Sequence, residues 1–237
     1  MMRVPYAEAR RTLASAQKPG AGVPAYLRWI NRPLGGRAAV VAASWGASPN
    51  GVTAASAVLG GAGVLVLAGF PSWWAGPAAA LLLLAGYILD SADGQLARIQ
   101  GRGGPAGEWL DHVVDGIRAP LVHIAVAVHL ARTESADWLV MVAGLFSVLV
   151  SAWFLSQLLA EKLLPRVSGA SDAHGRGVLE SFIKQPQDPS TTYLVVAFIG
   201  APVVFAILYT GLFAWHAIIF LASLRRKHRQ LIDATDR

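Results

Sequence analysis

Four aspartates lie close together in a chain that otherwise carries few charges. Asp90 and Asp93 are three residues apart, and Asp111 and Asp115 are four residues apart. Both spacings place the paired carboxylates on one face of a helix. Carboxylate oxygens are ligands for Mg²⁺, Mn²⁺ or Ca²⁺ rather than for zinc. Two divalent ions would neutralise four carboxylates, and such a two-metal site suits displacement at phosphorus.

The composition around these aspartates is that of a membrane protein. The 237 residues are 54% hydrophobic and 14% charged, whereas soluble domains carry about 25% charged residues. Apolar runs approach the length of about 20 residues that crosses a bilayer. A carboxylate at mid-bilayer costs roughly 2.5–3.5 kcal/mol, and the spans hold few cations to pair four of them. We therefore expect bound metal rather than structural salt bridges.

The pattern predicts an all-α integral membrane protein with six transmembrane helices and an N-terminal amphipathic juxtamembrane helix. We expect a cytoplasmic arm and the juxtamembrane helix in residues 1–48, and a catalytic transmembrane domain in residues 49–237. Leu27 and Ile30 share one face of the juxtamembrane helix, and Arg28 lies on another, as in interfacial helices. The six spans are expected at residues 50–69, 75–98, 107–131, 138–160, 191–210 and 213–224.

The charge distribution predicts the orientation of these spans. Basic residues gather in the N-terminal arm, in loops 99–106 and 162–190, and in the C-terminal tail. The positive-inside rule then places both termini and the active site in the cytoplasm, with the protein in the cell membrane. The net charge of +6 is split among these sites by apolar spans, so we expect no nucleic acid partner. The absence of cysteine excludes disulfides and thiolate metal sites.

The predicted spans bring the two aspartate pairs to one level. Asp93 precedes Arg98, at the expected end of the second span, by five residues; Asp111 follows Gly107, at the expected start of the third, by four. At about 1.5 Å per residue, both carboxylates lie roughly 6–8 Å from their helix ends. A helical hairpin would therefore gather them at the membrane edge, where the Arg98 guanidinium could bind a phosphate bidentately.

The spacing also resembles a family signature. The pattern D-x2-D-G-x2-A-R-x8-G-x3-D-x3-D is similar to that of the CDP-alcohol phosphotransferases, also called CDP-alcohol phosphatidyltransferases, which are membrane enzymes of phospholipid synthesis. A Pro-Asn-x-Val-Thr turn before the first span, at residues 49–53, extends the resemblance. The eight signature positions are Asp90, Asp93, Gly94, Ala97, Arg98, Gly107, Asp111 and Asp115.

The resemblance implies a two-metal mechanism with Mg²⁺ or Mn²⁺. Asp90, Asp93 and Asp111 would bind one ion, and Asp90, Asp111 and Asp115 the second. Asp115 would also act as general base on the acceptor hydroxyl. The donor would be a CDP-alcohol, usually CDP-diacylglycerol, with CMP released, and the protein would be a homodimer. The residues expected to bind the cytidine diphosphate are Asn50, Gly51, Val52, Thr53, Gly94, Ala97, Arg98 and Gly107.

The acceptor is less defined by the sequence. A phosphorylated acceptor, such as glycerol phosphate or a polyol phosphate, needs a second basic pocket near the metals. Arg118, Lys162 and Arg166 are the candidates, although each also fits an ordinary cytoplasmic anchor. Family members that use inositol phosphate tend to place a hydroxyl side chain where Gly104 stands, which argues against that acceptor.

Three other functions fit some of these features. An intramembrane prenyltransferase also uses aspartates and Mg²⁺, but in two separated acidic motifs rather than in one hairpin. An ion transporter would use intramembrane carboxylates along a path, whereas these four are expected at one edge. A catalytically inactive scaffold would keep the fold without turnover. Release of CMP from CDP-diacylglycerol distinguishes all three from the expected enzyme.

Overall fold

The computed structural model describes residues 3–16, 22–164 and 178–235, and all regular structure in them is helical. This confirms the predicted all-α fold. The helices are α1 (Tyr6–Ser15), α2 (Arg32–Trp45), α3 (Pro49–Gly69), α4 (Ala75–Gln100), α5 (Pro105–Arg132), α6 (Asp137–Leu163), α7 (Leu179–Ile183), α8 (Pro189–Val196) and α9 (Pro202–Thr235).

Five described helices, α3 to α6 and α9, are long and apolar enough to cross a membrane. The predicted spans 50–69, 75–98, 107–131 and 138–160 match α3 to α6 to within three residues at each end. The chain is therefore a multi-pass membrane protein. Its largest buried cluster includes Leu83 and packs α3 to α6 together with α8 and α9.

The fifth and sixth predicted spans were wrong in their boundaries. Residues 191–210 do not form one helix, because α8 ends at Val196 and α9 begins at Pro202. The eight residues of α8 rise about 12 Å, well short of the roughly 30 Å hydrocarbon core. The predicted break between these two spans, at residues 211–212, lies inside α9, which continues to the described C-terminus.

A tertiary contact accounts for the break between α8 and α9. Gly200 lies so close to Trp73 that a Cβ on Gly200 would stand 2.8 Å from the Trp73 Cβ and 3.0 Å from its carbonyl oxygen. The next helix then begins at Pro202, whose fixed φ and missing N–H suit the first turn of a helix. The chain thus turns where its backbone meets the α3–α4 connection.

Helices α3 and α4 approach each other without intervening side chains. A Cβ on Gly86 would lie 3.0 Å from the Ser56 carbonyl oxygen and 3.1 Å from the Gly60 nitrogen. Helix α4 ends at Gln100 and is capped by Gly101, whose φ of +62° is left-handed, a conformation that favours glycine. The short loop 101–104 then leads into α5. We call this end of the bundle, where α4 joins α5, the aspartate end.

The predicted juxtamembrane helix is a π-helical turn, Leu27–Asn31, that continues into α2. The Asn31 side chain donates to the Tyr87 carbonyl oxygen at 3.1 Å, and Gln100 donates to the Ala47 carbonyl oxygen at 2.8 Å. These bonds tie the two ends of α2 to the second half of α4. A small cluster of buried residues from α1 and α2 packs on the same half, so the segment supports the aspartate end.

Candidate active site

Three of the four aspartates converge at the aspartate end. Asp90 on α4 and Asp111 and Asp115 on α5 each offer a carboxylate oxygen, and these oxygens all lie within 4.8 Å of one another. The side chain of Asp90 is 14% exposed and that of Asp115 is 41% exposed, so the cluster is buried on the α4 side and open on the α5 side. Such a set of oxygen donors fits a divalent cation.

The fourth aspartate is bound to α3. Asp93 is 7% exposed, and the Thr53 hydroxyl donates to its Oδ2 at 2.5 Å. The same hydroxyl lies 3.1 Å from the Pro49 carbonyl oxygen, but a hydroxyl has only one proton to donate. We assign that proton to Asp93, because the carboxylate oxygen is closer and is the stronger acceptor. Asp93 therefore links α4 to the turn where nucleotide binding is expected.

Arg118 forms ion pairs with two of the clustered aspartates. Its Nη2 donates to Asp90 Oδ1 at 2.5 Å and to Asp115 Oδ1, and its Nη1 donates to Ser56 Oγ at 3.2 Å. The expectation that the spans hold too few cations for structural salt bridges was therefore wrong at this position. Arg118 follows Asp115 by one helical turn, and this i, i+3 spacing is the sequence signal for the pair.

The starts of α3 and α5 meet beside the aspartates. Ser48 caps α3, since its Oγ accepts from the Gly51 N–H at 3.1 Å. A Cβ on Gly107 would lie 3.8 Å from Asn50 Oδ1, so the first turns of α3 and α5 lie within van der Waals reach. The predicted nucleotide residues Asn50, Gly51 and Gly107 are thus close to one another.

The remaining predicted nucleotide residues lie at the same end. Gly94 and Ala97 are half-buried on the last turns of α4, and Val52 is buried on α3. A Cβ on Gly94 would lie 3.7 Å from Arg98 Nη1, so the guanidinium extends back along α4 over the glycine. This places a cation beside the aspartates, where it could bind a phosphate.

The residues predicted to bind the acceptor are dispersed. Arg118 is 6% exposed and bonded within the carboxylate cluster. Lys162 is exposed in the last turn of α6. Arg166 lies outside the described residues.

A cavity of about 270 Å³ opens beside Asp115, and no sequence motif predicted it. Asp188 lines it and is 2% exposed; its carboxylate accepts from the Ser190 N–H at 2.9 Å and from the Tyr87 hydroxyl at 3.1 Å. Burial raises the pKa of the Asp188 carboxyl. The walls come from α4, α5, α6, α8 and α9 and include Tyr87, Asp115, Arg118, Trp153, Phe154, Gln157, Gln187, Asp188, Thr192, Tyr193 and His216.

Comparison with known proteins agrees with this arrangement. The family model for CDP-alcohol phosphatidyltransferase matches residues 47–223, and the chain belongs to that family. A curated archaetidylinositol phosphate synthase from Aeropyrum pernix is 32% identical over 122 residues, which cover 49% of this chain and 55% of that protein. The chain thus spans about half the length of this relative.

Proposed function

We propose that this protein is a CDP-alcohol phosphotransferase of phospholipid biosynthesis. It would transfer a phosphatidyl or similar phosphoryl-alcohol group from a CDP-alcohol, with CDP-diacylglycerol as the expected donor, to an acceptor hydroxyl, and release CMP. The observation that carries the proposal is the convergence of the Asp90, Asp111 and Asp115 carboxylates within 4.8 Å, inside the segment that the family model matches.

The carboxylates fit divalent metal, because they supply only oxygen donors at one partly open place. Asp90, Asp111 and Asp115 would hold one Mg²⁺ or Mn²⁺ ion, and Asp90, Asp93 and Asp111 a second. When bound, the ions would neutralise the diphosphate and stabilise the leaving oxygen. The first set is supported by the clustering of its oxygens.

The cytidine diphosphate would lie against the meeting ends of α3, α4 and α5. Gly94 and Gly107 carry no side chain, which allows a ligand to approach the backbone closely. Arg98 would bind a phosphate oxygen with its planar guanidinium. Contacts from Asn50, Gly51, Val52, Thr53 and Ala97 would complete this surface. The closeness of Asn50 to Gly107 supports one site formed by these residues.

Asp115 would act as the general base. It is the most exposed of the ion-paired aspartates and lines the cavity, so an acceptor hydroxyl in the cavity could reach its carboxylate. The carboxylate would take the hydroxyl proton, the hydroxyl oxygen would bond to the β-phosphorus, and the phosphorus–oxygen bond to CMP would break. Proximity and a fixed electrostatic environment would supply most of the acceleration.

The acceptor class proposed is a small phosphorylated alcohol, such as glycerol phosphate or a polyol phosphate. The name of the Aeropyrum pernix relative supports inositol phosphate, whereas Gly104 argues against it. Lys162 and Arg166 are the proposed acceptor-binding cations. We also propose a homodimer in the cell membrane with both termini and the active site facing the cytoplasm, on the basis of the family and the positive-inside rule.

The test is CMP release by the purified protein from CDP-diacylglycerol with Mg²⁺ or Mn²⁺ and a panel of acceptors. The panel contains glycerol 3-phosphate, inositol 1-phosphate, glycerol and inositol. We expect release with at least one acceptor, and no release with any would refute the enzyme in favour of an inactive scaffold.

Asp115→Asn tests the base within the same assay. We expect a loss of at least about 100-fold in turnover, the usual effect of removing a general base, with CDP binding largely retained. Asp137→Asn is the matched control, because Asp137 is exposed in the first turn of α6 at the opposite end of the bundle. Full turnover in Asp115→Asn would remove Asp115 from the base role.

A further inference from the structure

We propose that Arg118 is a positioning residue that holds Asp90 and Asp115 in the geometry of the cation site. The inference rests on the proposed function, since it concerns the same carboxylates, and it assigns Arg118 a role other than binding an acceptor phosphate. The Arg118 side chain is 6% exposed and lines the cavity, but both Nη atoms are bonded to Asp90, Asp115 or Ser56, so its contacts point to the aspartates rather than to a diffusing ligand.

One guanidinium joins three helices. Through Nη2, Arg118 on α5 binds Asp90 on α4 and Asp115 on its own helix, and through Nη1 it binds Ser56 on α3. Ser56 is fully buried and donates in turn to the Gly86 carbonyl oxygen at 2.8 Å. The planar fork of arginine can make these contacts together. They fix the direction of the guanidinium as well as its charge.

The sequence leaves room for the arginine stem. A Cβ on Gly60 would lie 3.2 Å from Arg118 Cδ, so the stem passes over α3 where no side chain projects. Ser56 and Gly60 are four residues apart and therefore share one face of α3. Two positions on this face thus serve Arg118: one accepts its hydrogen bond and the other leaves space for its stem.

Arg118 offsets the electrostatic repulsion among the clustered carboxylates. Asp90, Asp111 and Asp115 repel one another when ionised, and without a fixed partner they would turn apart. Arg118 binds Oδ1 of Asp90 and Oδ1 of Asp115, and the second oxygen of each carboxylate stays available to a cation. Groups that orient metal ligands in this way typically change metal affinity or activity by about 10–100-fold when mutated.

The Arg118→Lys variant distinguishes the effect of the hydrogen-bond geometry of Arg118 from the effect of its positive charge. Lysine keeps the positive charge, so the average electrostatic field on a bound cation changes little. Its single nitrogen cannot occupy both the Nη2 position between the two aspartates and the Nη1 position beside Ser56. Mn²⁺ binding to the detergent-purified protein, without substrates, is measured by electron paramagnetic resonance of the free ion. We expect Arg118→Lys to weaken Mn²⁺ binding by at least about tenfold.

Two further variants complete the experiment. Arg132→Lys is the matched control, because Arg132 lies at the other end of α5 and donates to the carbonyl oxygens of Ala68 and Gly69; its Mn²⁺ affinity should equal that of the wild type. Gly60→Ala removes no functional group but pushes on the Arg118 stem. Its affinity should lie between those of wild type and Arg118→Lys.

The outcomes separate this inference from the proposed function. If the wild type binds Mn²⁺ and Arg118→Lys binds it equally or more tightly, Arg118 is not a positioning residue and the inference alone fails. If the wild type binds no Mn²⁺, the metal-dependent function fails and the inference with it. If Arg118→Lys shows no cooperative thermal unfolding, it is not folded and the Mn²⁺ affinity of Gly60→Ala is the test instead. A Mn²⁺ affinity of Gly60→Ala equal to that of the wild type then overturns the inference.

Discussion

Thr53→Val is expected to destabilise the protein through Asp93. The valine side chain has nearly the shape of threonine but lacks the hydroxyl that donates to Asp93 Oδ2 at 2.5 Å. Asp93 is 7% exposed, so water cannot fully replace the lost donor. A hydrogen bond to a charged group contributes about 1.5–3 kcal/mol, and the loss of one partner leaves the other buried without compensation.

The expected loss of folding free energy can be converted to a shift in melting temperature. For a chain of this length, each kcal/mol shifts the midpoint by about 2–4 °C, so Thr53→Val should lower it by about 3–12 °C. Thr53→Ser keeps the hydroxyl and loses one methyl group, which costs about 0.8 kcal/mol. The step from wild type to Thr53→Val therefore reports the hydrogen bond, and the step from wild type to Thr53→Ser reports the packing of one methyl group.

The assay is thermal unfolding of the detergent-purified variants, followed by tryptophan fluorescence without metal or nucleotide. We expect the midpoints to fall in the order wild type, Thr53→Ser, Thr53→Val. Equal midpoints for the wild type and Thr53→Val would refute the reasoning, because the hydroxyl would then contribute nothing measurable to the folded state.

Three further predictions concern packing, pH and metal. Gly86→Ala should destabilise by about 1–3 kcal/mol in thermal unfolding, because its Cβ would overlap the α3 backbone, whereas Gly61→Ala, with open space around it, should not. Burial raises the pKa of Asp188 in the folded protein, so folding favours its protonated form. The wild type should therefore lose stability relative to Asp188→Asn as pH rises above about 4; parallel pH profiles would contradict this. Chelation of divalent ions should abolish CMP release and added Mn²⁺ should restore it; release that survives chelation would contradict a metal-dependent transfer.

Much of the candidate site could be predicted because it lies within short stretches of sequence. The spacings of the two aspartate pairs are helical, and the short loop 101–104 forces α4 and α5 into a hairpin. The convergence of Asp90, Asp111 and Asp115 follows from these two local facts. The limits of α3 to α6 were also predictable, since each apolar run is bounded by proline, glycine or charged residues.

The parts that could not be predicted depend on contacts between distant segments. The break between α8 and α9 occurs where Gly200 meets Trp73, and hydropathy does not register such a contact. The sequence predicted Arg118 as an acceptor-binding cation or a cytoplasmic anchor, whereas in the structure Arg118 reaches Asp90 on another helix. The cavity beside Asp115 needs walls from five helices, and no single segment carries its pattern.

Hydrogen bonds connect α3, directly or through Arg118, to three of the four aspartates. Thr53 binds Asp93, and Ser56, one turn further on, binds the arginine that holds Asp90 and Asp115. A rigid-body displacement of α3 would therefore move Thr53, the partner of Asp93, together with Ser56, the partner of Arg118. A nucleotide bound at the start of α3 and a cation bound between α4 and α5 would then be thermodynamically coupled, each changing the affinity of the other by the same factor.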